Sequence, residues 1–340
     1  MTRHKMTGQI VEKEIPLVSG GKIREMTLSN GYLTLVVHDF GARCHKIFTP
    51  DRNGVFENIL LSRDEPDSYA VDGGYYGLIC GPVAGRIAGA AYDDLRFEAN
   101  ENGNLLHSGE KSWERQFWTM CPFQTENSVG VTLTLEDEIS GFLGPIKATV
   151  TYELIKNQLK VFLTALSKKD TVFNPAFHPY FNLSADHENT LNHLLTVPAD
   201  RLVEVDSENI PTGFLTELSK SSYDLRRARS ISDIQKQLPD GLDNCFVYPE
   251  NLTEKTLTLY SPNSGRKLSC QTDRQAVVIY TATHPEQNST IAGKRMTPNR
   301  GIAIEFQELP DMVHHPEWGS IALPANTEKT FCSSYTFSTE

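Results

Sequence analysis

An all-β fold of many antiparallel strands, closed as a sandwich or a barrel, is what this sequence predicts. Apolar residues recur with a period of two, clusters of turn-forming residues separate those runs, and helical spacing is scarce. The first signal is "MTLSNGYLTLVV", two alternating runs about Asn30-Gly31. That dipeptide predicts a hairpin with a type I′ turn, in which both central residues need positive φ. Further strands are predicted at "SVGVTLTLED", "IKATVTYELI", "LKVFLTAL", "KTLTLYS", "RKLSCQT", "AVVIYTAT" and "RGIAIEFQEL", with "TFCSSYTFS" near the end. Clusters such as "PDRNG" and "SPNSG" supply the turns between strands. In "SISDIQKQL", Ile231, Ile234 and Leu238 fall at helical spacing after a Ser/Asp start, which predicts one short helix. No linker or shift in composition divides residues 1–340, so one large domain is expected.

Composition narrows the possible partners. The chain carries a formal net charge of -11, which argues against nucleic acid or an anionic membrane, since both require a basic face. The opening stretch "MTRHKMTGQIVEKEIPL" has scattered charges and no apolar core of the signal-peptide kind, and a cytoplasmic location is expected. No run approaches the roughly 20 apolar residues of a membrane span. The six cysteines are far apart, without a C-x-x-C pair, and are expected to be reduced thiols.

Polar residues in unusual settings mark candidate chemistry. In "YYGLICGPVAGRIAGAAY", Gly77, Gly81, Gly85 and Gly89 recur every fourth residue around Arg86. The glycines would let backbone approach a ligand to which Arg86 offers donors; the alternative is an arginine in an ion pair. His107 follows two leucines, and either binds or is structural. His178 lies in "NPAFHPYFNLS", between prolines and aromatic rings that would lower the local dielectric and move its pKa. It reads as a proton donor or acceptor, or as a core histidine. Glu305 shares a strand face with Ala303 and Gln307, a face that is either solvated or lines a pocket. Asp243 is a site residue or a turn residue after Asp240-Gly241. His284 and the His314-His315 pair show no metal-ligand spacing, so neither metal nor cofactor is expected.

In chain order these stretches resemble the aldose 1-epimerase, or galactose mutarotase, family. The resemblance runs from "FGARCHKIFTPDRNG" through "VPADRLVEVDSENIPTG" to "IEFQELPD". The family's Asn-Arg-Ile matches Gly85-Arg86-Ile87, and its Leu-His-Gly-Gly matches Leu106-His107-Ser108-Gly109. Its Asn-His-x-Tyr-Phe-Asn-Leu matches Phe177 to Leu183, and its two acids fall on Asp243 and Glu305. The resemblance implies one large β-sandwich of the galactose mutarotase-like type, a sugar cleft on a sheet face, and cofactor-free interconversion of the anomers of a free monosaccharide. It implies Glu305 as general base, His178 as general acid, and Arg86, His107 and Asp243 as substrate-binding residues. Tyr76, Tyr180 or Phe246 would supply an apolar platform. A mutarotase for phosphorylated or modified sugars, or a non-catalytic sugar-binding protein on this fold, is the alternative. Gly85 and Phe177 stand where the family places asparagines, which implies a cleft wall with fewer polar groups on both counts.

Overall fold

The computed structural model describes every residue except 1–7, 19, 72–73, 186–188 and 286–289, so Met1 to Thr7 of the opening stretch lie outside it. Three antiparallel sheets organise the chain. A five-stranded sheet orders Gln9–Pro16, Lys22–Ser29, Thr34–His38, Arg43–Pro50 and Phe56–Asn58 side by side. A nine-stranded sheet runs Thr119–Gln124, Val129–Asp137, Ile146–Ile155, Gln158–Ser167, Glu328–Thr339, Arg266–Thr272, Leu257–Tyr260, Leu194–Thr196 and Arg229–Ser230. The third has six strands: Tyr180–Phe181, Ile302–Gln307, Ala276–Tyr280, Asp243–Val247, Arg201–Val205 and Pro211–Glu217.

Period-two alternation decides what each sheet buries. Val129, Val131 and Leu133 of the nine-stranded sheet meet Val277, Ile279, Ile302, Ile304 and Phe306 of the six-stranded sheet in one core. Met26, Leu28, Leu35 and Val37 extend that core into the five-stranded sheet. The result is a sandwich rather than a barrel. At roughly 1.5 to 3 kcal/mol for each fully buried large aliphatic side chain, this interior is the main stabilising term. The other face of the six-stranded sheet is left to carry polar residues.

The predicted helix forms at Ile231–Gln237, where the Ser230 side chain accepts from the Asp233 N–H and Ile231 and Ile234 are buried. The Asn30-Gly31 hairpin also forms, but not with a two-residue type I′ turn. Ser29 pairs with Thr34, leaving a four-residue connection in which the Asn30 side chain accepts from the backbone N–H groups of Tyr32 and Leu33. Only Gly31 of the pair takes positive φ. Asn30 serves as a local acceptor, which relieves it of the left-handed conformation. All six cysteines are unpaired. No helix of the described residues is long and apolar enough to cross a membrane.

Candidate active site

A cleft of about 280 Å³ opens on the polar face of the six-stranded sheet, and Arg86, His107, His178, Asp243 and Glu305 all line it. Glu305 comes from Ile302–Gln307, a strand whose six residues are all buried. Ile302, Ile304 and Phe306 enter the core, so alternation turns Glu305 and Gln307 to the cleft. The pocket-lining reading of that face holds; solvation does not. Asp243 opens the strand Asp243–Val247 opposite Tyr280, and Cys245, Val278 and Glu305 form one row across three strands. Solvent reaches Asp243 through the cleft. Protein encloses it otherwise, and this raises its carboxyl above the usual range.

His178 stands at the floor. Its N–H donates to the Leu78 carbonyl and its carbonyl accepts from the Gly77 N–H, which fixes the backbone beneath the ring. Its Nε2 lies 3.2 Å from Glu305 Oε1, with only 5% and 4% of the two side chains exposed. Burial opposes charge on both. It pushes His178 down to about 3 and Glu305 well up, with the Asp243 charge adding to the latter shift.

His107 and Arg86 arrive together on a short ladder in which Leu106 pairs with Arg86. The Gly85 N–H donates to His107 Nδ1 at 3.1 Å, so in the neutral ring Nε2 carries the proton and is a donor. His107, His178 and Glu305 offer ligand atoms within 4.8 Å of one another, the spacing of a metal site. The His107 lone pair is already engaged, however, and the group does not present a metal-ligand triad. Arg86 lines the cleft and pairs with Glu101 through two bonds, of 2.5 and 3.1 Å, as the ion-pair reading expects. The close approach that Gly81 allows is to the buried Trp113 ring, which a Cβ there would meet at 2.3 Å, and not to the cleft.

Of the three candidate platform rings, one lines the cleft. Tyr180 lines the cleft with its ring centroid 5.0 Å from His178, but Tyr76 packs behind Tyr180 and Phe246 is fully buried in the core. Tyr75 and Tyr280 are the lining rings the sequence did not reveal. Tyr75 sits 4.5 Å from His107 and 5.7 Å from His178, and adjacent tyrosines give no local signal of which one faces the site. Phe177 does not form the cleft wall. One residue before His178, it points to the opposite side and packs against Tyr152 and Tyr335. Of these two positions, Gly85 alone lines the cleft. Glu101 was also missed, because a charge in a turn carries no pairing signal.

A buried carboxyl group beside an imidazole on the floor of a sheet-face cleft, ringed by hydrogen-bonding side chains, is an arrangement suited to proton transfer on a small polar substrate. The family model described as aldose 1-epimerase matches residues 24–336. A maltose epimerase of Levilactobacillus brevis is 28% identical over 95% of this chain and 99% of its own. An aldose 1-epimerase of Streptococcus thermophilus is 29% identical over 94% of each. The solved structure of galactose 1-epimerase from Lactobacillus acidophilus superposes with a TM-score of 0.85 at 25% identity, covering 98% of this chain and 99% of that one. The chain belongs to the aldose 1-epimerase family. It is an isomerase that interconverts the α and β anomers of an aldose.

Proposed function

We propose that the reaction runs on a free, unphosphorylated aldose, with Glu305 as general base and His178 as general acid. The observation that carries this reading is the pair itself, two buried titratable groups 3.2 Å apart facing one cleft. Glu305 accepts the proton of the C1 hydroxyl while His178 delivers one to the ring oxygen, and the bond from C1 to that oxygen breaks. Rotation about C1–C2 presents the other face of the aldehyde. The two groups then exchange roles and the ring closes. Burial makes the Glu305 carboxylate a stronger base and the His178 imidazolium a stronger acid, while making both charged forms scarce near neutral pH.

The remaining residues orient the sugar. The His107 Nε2–H donates to the ring oxygen or a neighbouring hydroxyl, Arg86 keeps further donors for hydroxyls, and Asp243 accepts from them at the mouth. A phosphorylated sugar is disfavoured. Among the described residues Arg86 is the only arginine or lysine lining the cleft, Glu101 already engages it, and Asp243 would repel an anion. One observation favours a second substrate class: a relative similar over nearly its whole length is named a maltose epimerase, so a reducing disaccharide belongs in the test. Six unpaired thiols support a reducing compartment, the cytoplasm.

The test is polarimetry on freshly dissolved single anomers of glucose, galactose, xylose, a 2-deoxy sugar and maltose. Catalysed mutarotation of at least one, lost in Glu305→Gln and His178→Asn while sugar still binds, is the expected result. Full turnover in either variant would remove that residue from the mechanism.

A further inference from the structure

A second group of buried titratable side chains lies outside the cleft, in the five-stranded sheet. Glu25 and His38 stand directly opposite each other on neighbouring strands, and His38 Nε2 meets Glu25 Oε2 at 2.9 Å. The next strand carries a β-bulge, with the register slipping between Val36 and Val37. Cys44 and Ile47, three residues apart, consequently both reach the main core, which leaves His45 on the other face with His38. The two imidazoles stack with centroids 4.2 Å apart. Bulges re-aim side chains in this way, often beside functional sites. Glu25, His38 and His45 offer ligand atoms that all lie within 4.8 Å of one another, and all three residues are buried.

We propose that Glu25, His38 and His45 form a binding site for one divalent transition-metal ion of the zinc type, separate from the sugar cleft. Two imidazoles and a carboxylate suit such an ion, whereas magnesium and calcium favour all-oxygen sets. In the neutral ring His38 Nε2–H donates to Glu25 Oε2, so a bound ion would take the place of that proton between the two groups. A second layer is also in place: the Tyr69 hydroxyl, which accepts from the Arg63 N–H, lies 3.0 Å from His45 Nδ1 and accepts that ring's proton when Nε2 turns to a metal. His38 Nδ1 has no hydrogen-bond partner.

Among the described residues, the cationic side chains that bear on the cluster are Arg43, Lys46 and Lys13. Arg43 is committed elsewhere, over the Tyr69 ring and to the Tyr76 carbonyl, and Lys46 only adds repulsion. Lys13 is the competitor. Its ammonium sits 2.8 Å from Glu25 Oε1, but 61% of its side chain is exposed, so it is free to swing aside. Removing it therefore predicts a gain of metal affinity, which a merely structural cluster would not show.

The experiment titrates chelator-treated, dialysed full-length protein with Co²⁺ and Zn²⁺, and with Mg²⁺ for contrast, by calorimetry and by the visible absorption of bound Co²⁺. One Co²⁺ or Zn²⁺ per chain and no Mg²⁺ are expected. His38→Gln and His45→Gln should each weaken binding by about 100-fold or more, Lys13→Gln should tighten it several-fold, and His107→Gln should leave it unchanged. Lys13 is exposed, so that variant reports even if the buried substitutions fail to fold. The proposal is overturned if no stoichiometric binding is seen, if His107→Gln abolishes it, or if Lys13→Gln fails to tighten it.

Discussion

Placing an asparagine at position 85 tests how this chain's cleft sets its sugar preference. Gly85 has φ of 75°, and a Cβ there would lie 3.1 Å from Pro310 Cβ and 3.4 Å from Gln307 Nε2. A side chain in the left-handed region costs about 1 to 2 kcal/mol, with asparagine at the low end because it tolerates that region best. The 3.1 Å contact needs a small shift of Pro310. A loss of roughly 1 to 2 kcal/mol should lower Tm by about 1 to 3 °C in a chain of this size. Gly85→Ala adds the same Cβ without the amide, with somewhat more left-handed strain than asparagine, so it is the reference against which the amide is read. A net hydrogen bond to a sugar hydroxyl is worth about 0.5 to 1.5 kcal/mol, or roughly two- to tenfold in kcat/KM. Polarimetric kcat/KM for galactose and glucose should therefore be two- to tenfold higher in Gly85→Asn than in Gly85→Ala, at similar Tm. Equal values for both variants on every hexose would show that position 85 does not recognise hydroxyls.

Other outcomes follow from the same geometry. Glu305→Gln and His178→Asn should each lower kcat by about 10² to 10⁴ while calorimetry still detects sugar binding. With one polar wall position lost at Gly85, a pentose or deoxy sugar should exceed galactose in kcat/KM; galactose leading a broad panel would contradict this. Mutarotation should survive chelation, because the proton transfers use side chains alone; loss restored by a divalent ion would overturn that. Burial raises Glu114 to about 8, so between the usual carboxylate range and pH 8 the folded state holds a proton that the unfolded state has lost. Stability then falls as pH rises, by about 1.4 kcal/mol per unit at most. Glu114→Gln should gain on the parent in thermal melts from pH 5 to 8, and parallel curves would remove Glu114 as the cause.

Much of the cleft was legible because its residues sit in local patterns. The face of Glu305 follows from parity: between Ile304 and Phe306, which enter the core, it must turn to the opposite side of the strand, and only the fold shows that side to be a cleft. His178, His107 and Arg86 follow from short motifs whose chain order matched a family. What could not be read was decided across the chain. Phe177 and His178 are adjacent, and only the three-dimensional placement of that segment says which of the two faces the cleft. The Arg86–Glu101 pair spans 15 residues and forms because a short ladder folds back. Glu25, His38 and His45 escape any search for metal-ligand spacing because a bulge, invisible to periodicity, assembles them from three strands.

The strand Glu328–Thr339 lies at the centre of the nine-stranded sheet, bonded on one side to Gln158–Ser167 and on the other to Arg266–Thr272. It is made later than every strand it joins. During synthesis the two halves of that sheet therefore wait with open, hydrogen-bonding edges until it arrives, a state prone to pairing between nascent chains. A ribosome that stops short of residue 328 releases not a slightly trimmed enzyme but a product with two unsatisfied sheet edges, one suited to chaperone capture and proteolysis.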